Sequence, residues 1–375
     1  MLTFYPSVPA PADCYDRGQI LKAAEAALNA PCEHITDAAA PLSEGGPHDF
    51  YSNGDYWWPD PNQPDGLPYI QRDGETNPGN FIAHRMSMRR MRTHVSALAA
   101  AWRLTGEEKY AAKACRMLEE FFVDAGTRMN PHLLYAQAIP GVCPGRGTGI
   151  IDTLHLIDVP FAVEALRGAQ AMTDTLYQAL RAWFGAYLDW MLTHPQGKDE
   201  QNARNNHSVT CFVQLAAFAR FTDREDVLSL CRKRYKEVFL PEQMAADGSF
   251  PQELRRTKPY SYSIFVLDNM VTLCQLLSGP EEDLWSYTAS DGKNIALGLD
   301  YLLPFLQDKA SWLYPPDVMH FESWPARASF MIFAGAALHR EDCLRLYASL
   351  PYESQDEEVR RNLAVRQPML YFGKL

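Results

Sequence analysis

The 375-residue sequence lacks several patterns that mark common classes of protein. Its eight cysteines are scattered, and none has the C-x-x-C spacing of a zinc or redox site, so most are predicted to be reduced, buried thiols. No apolar run approaches the roughly 20 residues that a membrane span needs. The N-terminal stretch has no basic segment followed by an apolar one. We therefore expect no membrane span and a cytoplasmic location, or a secreted or periplasmic one if a leader has been removed.

Basic residues are outnumbered by acidic ones: 35 Lys and Arg against 46 Asp and Glu give a formal net charge of −11. An acidic balance of this size argues against nucleic acid as a partner. Hydrophobic residues make up 47% and charged residues 22%, which is ordinary for a globular protein with a sizeable core. We expect residues 1–375 to form a single domain, while the oligomeric state stays open.

Two further absences concern cofactors. The Gly-rich stretch GVCPGRGTGIIDTLHLID (141–158) lacks the preceding strand and the GK[ST] ending of a phosphate loop, which excludes nucleotide binding by that motif. No cluster of His, Asp and Glu has metal-ligand spacing at the centre proposed below. The sequence therefore predicts chemistry without a cofactor or a metal.

Helical periodicity dominates the chain from residue 84 onward. Helices are predicted at about 17–30, 84–104, 107–124, 153–168, 173–194, 204–221, 224–239, 260–278, 291–307, 323–338 and 340–349. Short polar turns such as Thr105-Gly106 favour antiparallel neighbours, so we predict an all-α fold, a single (α/α) toroid forming an incomplete barrel of about six to seven helical hairpins. Residues 31–83 are predicted to be a long loop or lid over its cleft, because they are dense in Pro, Gly and aromatic residues.

A polar tetrad precedes the apolar helix predicted at 204–221. It comprises Arg204, Asn205, Asn206 and His207. Free N–H groups and the positive dipole at a helix N-terminus suit an anionic group. For the tetrad alone, the alternative is an N-capping Asn with a satisfied buried His.

A second polar cluster, PQELRRTKPYSYS (251–263), opens the helix predicted at 260–278. It carries Arg255, Arg256, Lys258, Tyr260 and Tyr262. Together with the tetrad it offers amides, an imidazole, guanidinium groups and phenols. These groups can bind a carboxylate and move a proton beside it.

Several weaker signals extend this candidate site. Arg85, Arg89 and Arg92 lie at i, i+4 and i+7 and form a cationic stripe, for which a solvated face is the common alternative. Tyr56, Trp57 and Trp58 lie among prolines and offer flat faces for stacking on sugar rings, or for packing as a lid. Other candidates for ligand contact are Asp152 and His155 at i, i+3, and a corner with His320, Glu322, Trp324 and Arg327.

In their joint order, four stretches resemble the alginate lyase superfamily. They are GDYWWPDPNQPDGLPYIQRDGE (54–75), RGTGIIDTLHLIDVPFAVEAL (146–166), NNHS (205–208) and ELRRTKPYSYS (253–263). The sequence is most similar to the glucuronan and alginate lyases of polysaccharide lyase family 38 and, more distantly, to family 5. The resemblance implies an (α/α) toroid that cleaves a uronate polymer by β-elimination. It also implies that Asn206, His207, Arg256 and Tyr262 are the catalytic residues, with Tyr260 competing for the last role.

The chemistry needs such residues. The C5–H of a 4-linked uronate is weakly acidic, and neutralising the adjacent carboxylate lets negative charge spread into it. Asn206, His207 and Arg256 are predicted to do this. Tyr262 would accept the C5 proton and protonate the C4 leaving oxygen, because the positive charge of Arg256 favours the phenolate. In guluronate, where the two groups lie on opposite faces, His207 would be the second base.

Two other functions remain open from sequence alone. A glycoside hydrolase on the same toroid needs two carboxylates across the cleft, for which Asp152 and Glu322 are candidates. A non-catalytic uronate-binding protein would use the aromatic lid and the arginines. The sequence does not choose among alginate, glucuronan and related uronates.

Overall fold

A computed structural model describes residues 10–11 and 15–373 of the chain. The chain divides into two compact units, an N-terminal unit of Asp16–Asn202 and a C-terminal unit of Met1–Tyr15 with Ala203–Leu375. The single domain expected over residues 1–375 stays a prediction.

The N-terminal unit, described throughout, is mainly helical. Its α-helices are α1 (Arg17–Asn29), α2 (Ala83–Thr105), α3 (Glu108–Phe122), α4 (Asp158–Leu166), α5 (Asp174–Thr193) and α6 (Pro195–Gln201). Its strands are β1 (Tyr51–Asn53), β2 (Trp57–Trp58), β3 (Ile70–Gln71) and β4 (Tyr135–Ala138), with β1 parallel to β4 and β2 antiparallel to β3. Helix α2 packs against α1, α3 and α4.

Local chemistry sets the helix ends of this unit. The Asp16 carboxylate caps α1 by accepting from the Gln19 N–H at 2.9 Å. Gly106, at φ +70°, ends α2 in the left-handed conformation that glycine adopts most easily. The segment between α1 and α2 contains no α-helix but only a 3₁₀ turn (Ile35–Asp37) and β1–β3, as its Pro and Gly content predicted.

The helix predicted at 153–168 is in fact two elements, a 3₁₀ helix (Gly147–Ile157) and then α4. Its glycines allow close backbone packing. A Cβ on Gly149 would lie 2.5 Å from the Ala136 Cβ, and one on Gly145 would lie 2.0 Å from the Leu134 carbonyl oxygen. The Gly-rich motif therefore serves the approach of this segment to β4.

The C-terminal unit is helical in its described residues. Its α-helices are α7 (Asn206–Thr222), α8 (Glu225–Arg234), α9 (Pro251–Leu254), α10 (Pro259–Leu277), α11 (Ile295–Gln307), α12 (Ser329–Ala337), α13 (Glu341–Ser349) and α14 (Glu357–Arg361). A π-helical segment (Tyr235–Gln243) follows α8, and 3₁₀ turns lie at Lys309–Ser311, Phe321–Ser323 and Pro368–Tyr371. Helix α10 is buried along nearly its whole length and packs against α7 and α12.

Two predicted helix starts in this unit are late, each for a local reason. Asn294 caps α11 by accepting from the Leu297 N–H at 3.0 Å, so the helix begins after it instead of at 291. Pro325 disfavours helical geometry at Trp324, and α12 begins only at Ser329 instead of at 323.

The cysteine prediction is confirmed where the structure describes it. Cys115, Cys211, Cys231, Cys274 and Cys343 are buried free thiols, while Cys32 and Cys143 are half-buried. Cys14 lies outside the described residues. In the described part of the chain, no helix combines the length and apolar character needed to cross a bilayer.

Candidate active site

The N-terminus of α7 carries the Asn-His pair singled out in the sequence. Asn205 is the N-cap, and its side chain accepts from the His207 N–H at 3.1 Å. The Asn206 N–H donates to Glu253 Oε1 at 2.8 Å, and Asn206 Nδ2 donates to Glu253 Oε2 at 2.7 Å. The prediction of free N–H groups for an outside anion is therefore wrong for these two amides, because protein side chains already bind them.

Glu253 places a carboxyl group at the helix N-terminus, where the helix dipole favours negative charge, and this group is only 1% exposed. Burial raises the pKa of Glu253, while the hydrogen bonds from Asn206 and the positive charges of Arg256 and His207 oppose that rise. The two polar clusters of the sequence thus meet around one buried carboxylate.

Arg256 and Tyr262 form the second part of this group. Arg256 Nη2 donates to the Tyr262 hydroxyl at 3.0 Å, and its guanidinium carbon lies 4.3 Å from the centroid of the Tyr262 ring. Both side chains are half-buried. A guanidinium that donates to a phenol oxygen stabilises negative charge on that oxygen, as a general base requires.

The two competing tyrosines have different environments. Tyr260 is 0% exposed, and its hydroxyl donates to the Phe305 carbonyl oxygen at 3.0 Å. Burial, aided by the charge of Asp317, raises the pKa of Tyr260 far above its usual value. A buried phenol that stays protonated and faces a backbone carbonyl is unsuited to contact substrate, so its predicted binding and catalytic roles are corrected to a structural one.

Asp317 holds the first turn of α10. Its carboxylate accepts from the Tyr260 N–H at 2.8 Å and from the Ser261 N–H at 3.0 Å. The adjoining Val318 N–H donates to the Thr257 carbonyl oxygen at 3.1 Å. The segment around Asp317 therefore fixes the start of the helix that carries Tyr262.

His320, predicted to bind substrate, lies on the same segment at φ +63°. Its Nδ1 is 2.7 Å from Asp356 Oδ2, which also accepts from the Ser323 hydroxyl at 2.7 Å. Burial would raise the pKa of Asp356, but the Ser323 and His320 hydrogen bonds outweigh it and hold the pKa below its usual value. The His320 ring is half-buried, and substrate contact through it stays a prediction.

In the N-terminal unit, the predicted arginine stripe is an interior ion-pair network. Arg85 is 1% exposed, pairs with Asp152 at 2.9 Å and with Asp55, and donates to the Asn53 carbonyl oxygen at 2.7 Å. The Ser52 hydroxyl donates to Asp152 at 2.5 Å. Neither the solvated face nor the substrate-binding role predicted for Arg85 and Asp152 fits such burial.

Two turns further along α2, a second ion-pair group is also buried. Arg92 Nη1 lies 3.2 Å from Asp158 Oδ2, and Arg92 Nη2 lies 2.6 Å from His155 Nδ1. All three side chains are buried, so the binding role predicted for His155 is likewise corrected to a structural one. Arg89 is half-buried between these two networks, and its contribution to substrate binding stays a prediction.

The aromatic lid residues Tyr56, Trp57 and Trp58 are half-buried. Arg146 lies over the Trp57 ring at 5.7 Å from its centroid, and Arg72 lies over the Trp58 ring at 4.8 Å. Trp58 Nε1 donates to the Glu75 carbonyl oxygen at 2.9 Å, so this segment is tied down by its own contacts. Stacking on sugar rings stays a prediction.

The carboxylates proposed for a hydrolase do not suit that role. Asp152 is buried against Arg85, whereas the Glu322 side chain is 90% exposed and lies 3.2 Å from Lys309. A glycosidase acid needs an environment that keeps its proton, which an exposed carboxylate beside an ammonium group does not provide.

Two residues of the candidate site were missed by sequence reasoning, Glu253 and Asp317. Glu253 stands inside the quoted motif, but its partner Asn206 is 47 positions away. Asp317 caps an amide 57 positions away. A cap from a distant segment leaves no local signal, since the known signatures lie within a few residues of the helix start.

Comparison with known proteins identifies the family. The sequence model of the family described as alginate lyase matches residues 34–312, more than half of the chain. The chain belongs to the alginate lyase family. No curated protein matches the sequence.

Solved structures of alginate lyases are similar over nearly the whole chain. An alginate lyase from Bacteroides ovatus is 31% identical, with a TM-score of 0.82 over 96% of this chain and 93% of that one. Alginate lyase A1-III from Sphingomonas species A1 is 14% identical, with a TM-score of 0.56 over 95% of this chain and 93% of that one. A variant of A1-III complexed with a tetrasaccharide is 14% identical, with a TM-score of 0.59 over 99% and 98%.

These findings confirm the predicted family and fold class, an all-α (α/α) toroid. As a member of the alginate lyase family, the chain is a polysaccharide lyase, a carbon-oxygen lyase with a polysaccharide substrate.

Proposed function

We propose that this lyase cleaves 4-linked uronate chains of the alginate or glucuronan type by β-elimination. In that reaction the C5–H and C4–O bonds break and a C4=C5 double bond forms. The proton leaves C5 for the enzyme, and the departing C4 oxygen receives a proton. The products are an unsaturated uronate end and a new chain end.

The Arg256–Tyr262 pair is the observation that carries this proposal. A phenol oxygen that accepts a guanidinium N–H at 3.0 Å can hold the negative charge of a general base. After accepting the C5 proton, the same hydroxyl can give it to the C4 oxygen. Tyr262 is therefore assigned both roles, and the burial of Tyr260 supports that choice.

Neutralisation of the substrate carboxylate is assigned to Asn206, His207 and Arg256. The electrostatic influence of Arg256 and His207 on Glu253 supports their placement in one group. Hydrogen-bond donors and cations aimed at the carboxylate stabilise charge that spreads into it when C5 is deprotonated. This term acts in the transition state, so its loss lowers kcat more than it changes KM.

Substrate stereochemistry follows from the use of one tyrosine. In mannuronate and glucuronate the C5 proton and the C4 oxygen lie on the same face, where a single hydroxyl serves both. In guluronate they lie on opposite faces, and His207 is the group assigned as the second base. We therefore expect mannuronate-rich alginate or glucuronan to be cleaved faster than guluronate-rich alginate.

A panel of polymers and oligomers of mannuronate, guluronate and glucuronate tests the proposal. The ultraviolet absorbance of the unsaturated end is the readout, and Tyr262→Phe is the inactive control. New reducing ends without that absorbance would indicate hydrolysis, and binding without either product would indicate a non-catalytic protein. Faster cleavage of guluronate than of the other two would contradict the role of Tyr262 as both base and acid.

A further inference from the structure

The orientation of the Asn206 side chain is set by one neighbour. Asn206 is buried, and its amide Nδ2 and its backbone N–H both donate to the carboxylate of Glu253. At the other end of the amide, Oδ1 is buried and receives no hydrogen bond from the described part of the chain. A buried acceptor without a donor costs free energy, so a ligand hydroxyl can add a hydrogen bond here, whereas a carboxylate, which only accepts, would have to be met by the second Nδ2 proton.

A carboxylate dictates which end of an amide faces it. Both oxygens of Glu253 accept from Asn206, one from the backbone N–H and one from Nδ2, so the donor end of the amide lies on the Glu253 side. The backbone N–H of Asn206 donates to Glu253 Oε1, and its direction is fixed because it belongs to the first turn of α7. Glu253 thereby fixes Oδ1 and the second Nδ2 proton in one arrangement.

We propose that Glu253 is a positioning residue. It holds the Asn206 amide in one orientation, in which the second Nδ2 proton is left to donate to the substrate carboxylate and Oδ1 is left to accept from a substrate hydroxyl. The inference rests on the proposed function for its catalytic consequence. It goes beyond that function in assigning a role to a residue without direct contact with the reacting atoms. Glu253 acts through Asn206, as an anchor behind the groups that face the substrate.

A purely structural role is the competing explanation. Glu253 also binds the first N–H of α7 and so caps that helix. A cap alone contributes to stability, and its loss would lower the unfolding temperature without a specific effect on kcat. The two explanations therefore predict different results for a substitution that keeps the cap but reverses the amide.

Glu253→Gln is such a substitution. Its Oε1 can still accept from the backbone N–H of Asn206, while its Nε2 replaces the carboxylate oxygen that faces the side chain. The Asn206 amide must then turn over so that Oδ1 accepts from Nε2, which places Nδ2 where Oδ1 was. The number of hydrogen bonds is unchanged, so the fold is expected to persist.

The expected result for Glu253→Gln is a fall in kcat of about 10- to 100-fold, below or near the loss of one donor to a developing oxyanion. KM is expected to stay within about 3-fold, because the amide acts mainly in the transition state. Asp268→Asn is the matched control, an acid-to-amide change at another buried carboxylate of the C-terminal unit, and it should leave kcat unchanged.

A double-mutant cycle with Asn206→Ala decides between the two explanations. If Glu253 acts through Asn206, then Glu253→Gln should change kcat by less than about 2-fold once the amide is gone. Equal effects of Glu253→Gln with and without Asn206 would overturn the proposal, as would wild-type kcat in Glu253→Gln.

A second readout separates this inference from the proposed function. The side-chain amide NMR signals of Asn206, assigned by their loss in Asn206→Ala, should shift in Glu253→Gln without any substrate. Unshifted signals would overturn the positioning role even in an active lyase. If the signals shift in Glu253→Gln but the wild-type protein is inactive on every uronate, the positioning of Asn206 stands and the proposed function is rejected.

Discussion

Arg85 in the N-terminal unit and Arg256 in the C-terminal unit were both candidates for substrate contact, yet their surroundings differ. Arg85 is buried and binds the two carboxylates of Asp55 and Asp152. Arg256 is half-buried and donates to the phenol oxygen of Tyr262. Two buried carboxylates neutralise Arg85, whereas Arg256 donates to a phenol oxygen and stabilises negative charge on it.

This comparison separates arginines that hold the fold from arginines suited to the reaction. Substitutions at the Arg85 network should change the free energy of unfolding, and those at the Arg256 pair should change the rate. The distinction rests on the kind of oxygen that each guanidinium meets. It can be tested at each place separately.

Tyr262→Phe is expected to have the largest effect. The substitution removes only the hydroxyl that accepts from Arg256, so the fold and KM should be nearly unchanged. Loss of a general acid and base lowers kcat by roughly 10²- to 10⁴-fold. Elimination rates at saturating substrate measure this, with Tyr260→Phe as the matched control. Near-wild-type kcat in Tyr262→Phe, with loss in Tyr260→Phe, would move the catalytic role to Tyr260, and activity in both would reject the tyrosine mechanism.

Arg85→Met should destabilise the protein by about 3–5 kcal/mol, because Asp55 and Asp152 are left buried without their cation. Chemical denaturation measures the free energy of unfolding. The control is Arg90→Met on the same helix, where the arginine is half exposed and pairs with Glu33, so a loss of at most about 1 kcal/mol is expected. An equal loss of unfolding free energy in Arg85→Met and Arg90→Met would show that the interior ion pairs stabilise the protein no more than a surface pair.

A third test compares two buried aspartates. Asp152 is paired with Arg85, whereas Asp268 accepts from the Ser329 hydroxyl and the Phe330 N–H, each at 2.7 Å. Burial raises the pKa of Asp268 to about 6. The unfolded chain therefore releases this proton first as pH rises, and up to about 3 kcal/mol of stability, fully present below about pH 4, is lost as pH passes through about 6.

Asp268→Asn cannot titrate and keeps Oδ1 as the acceptor of both hydrogen bonds. The difference in unfolding free energy between the two proteins should change across this pH window, with wild type losing more stability as pH rises. Denaturation curves at several pH values measure it. If the unfolding free energies of wild type and Asp268→Asn change equally with pH, the raised pKa of Asp268 is contradicted.

The smallest expected effect is that of Tyr260→Phe. Its hydroxyl donates one hydrogen bond to the Phe305 carbonyl oxygen, so its loss should cost about 1 kcal/mol of stability. Thermal unfolding measures this. A larger fall in stability would indicate that the hydroxyl supports more than this single bond.

Helix positions and the family could be predicted from sequence because both depend on short stretches of neighbouring residues. Apolar periodicity gives α2 and α5 to within a residue of their observed ends, and the motif order gives the family. The grouping of residues around 205–208 and 253–263 also followed from the motifs. These features depend on neighbours in the chain or on fixed spacing along it.

The environment of each charged residue could not be predicted in the same way. Arg85 and Arg256 are both arginines in polar sequence, and only the distant residues that meet them make one interior and the other half-buried. Asp152 is 67 positions from Arg85, and Glu253 is 47 from Asn206. Helical spacing placed Arg85 on one face of α2 but carried no information on what covers that face.

Asp317 controls not only the position of the first turn of α10 but also how fast its amide protons exchange with solvent. The amide protons of Tyr260 and Ser261 are bound to its carboxylate, so they exchange with solvent only when that contact opens. The rate at which the segment around Asp317 detaches and reattaches therefore limits the exchange of both protons. Opening of the segment around Asp317, more than fifty residues further along the chain, therefore sets the exchange rate at the helix end that carries Tyr262.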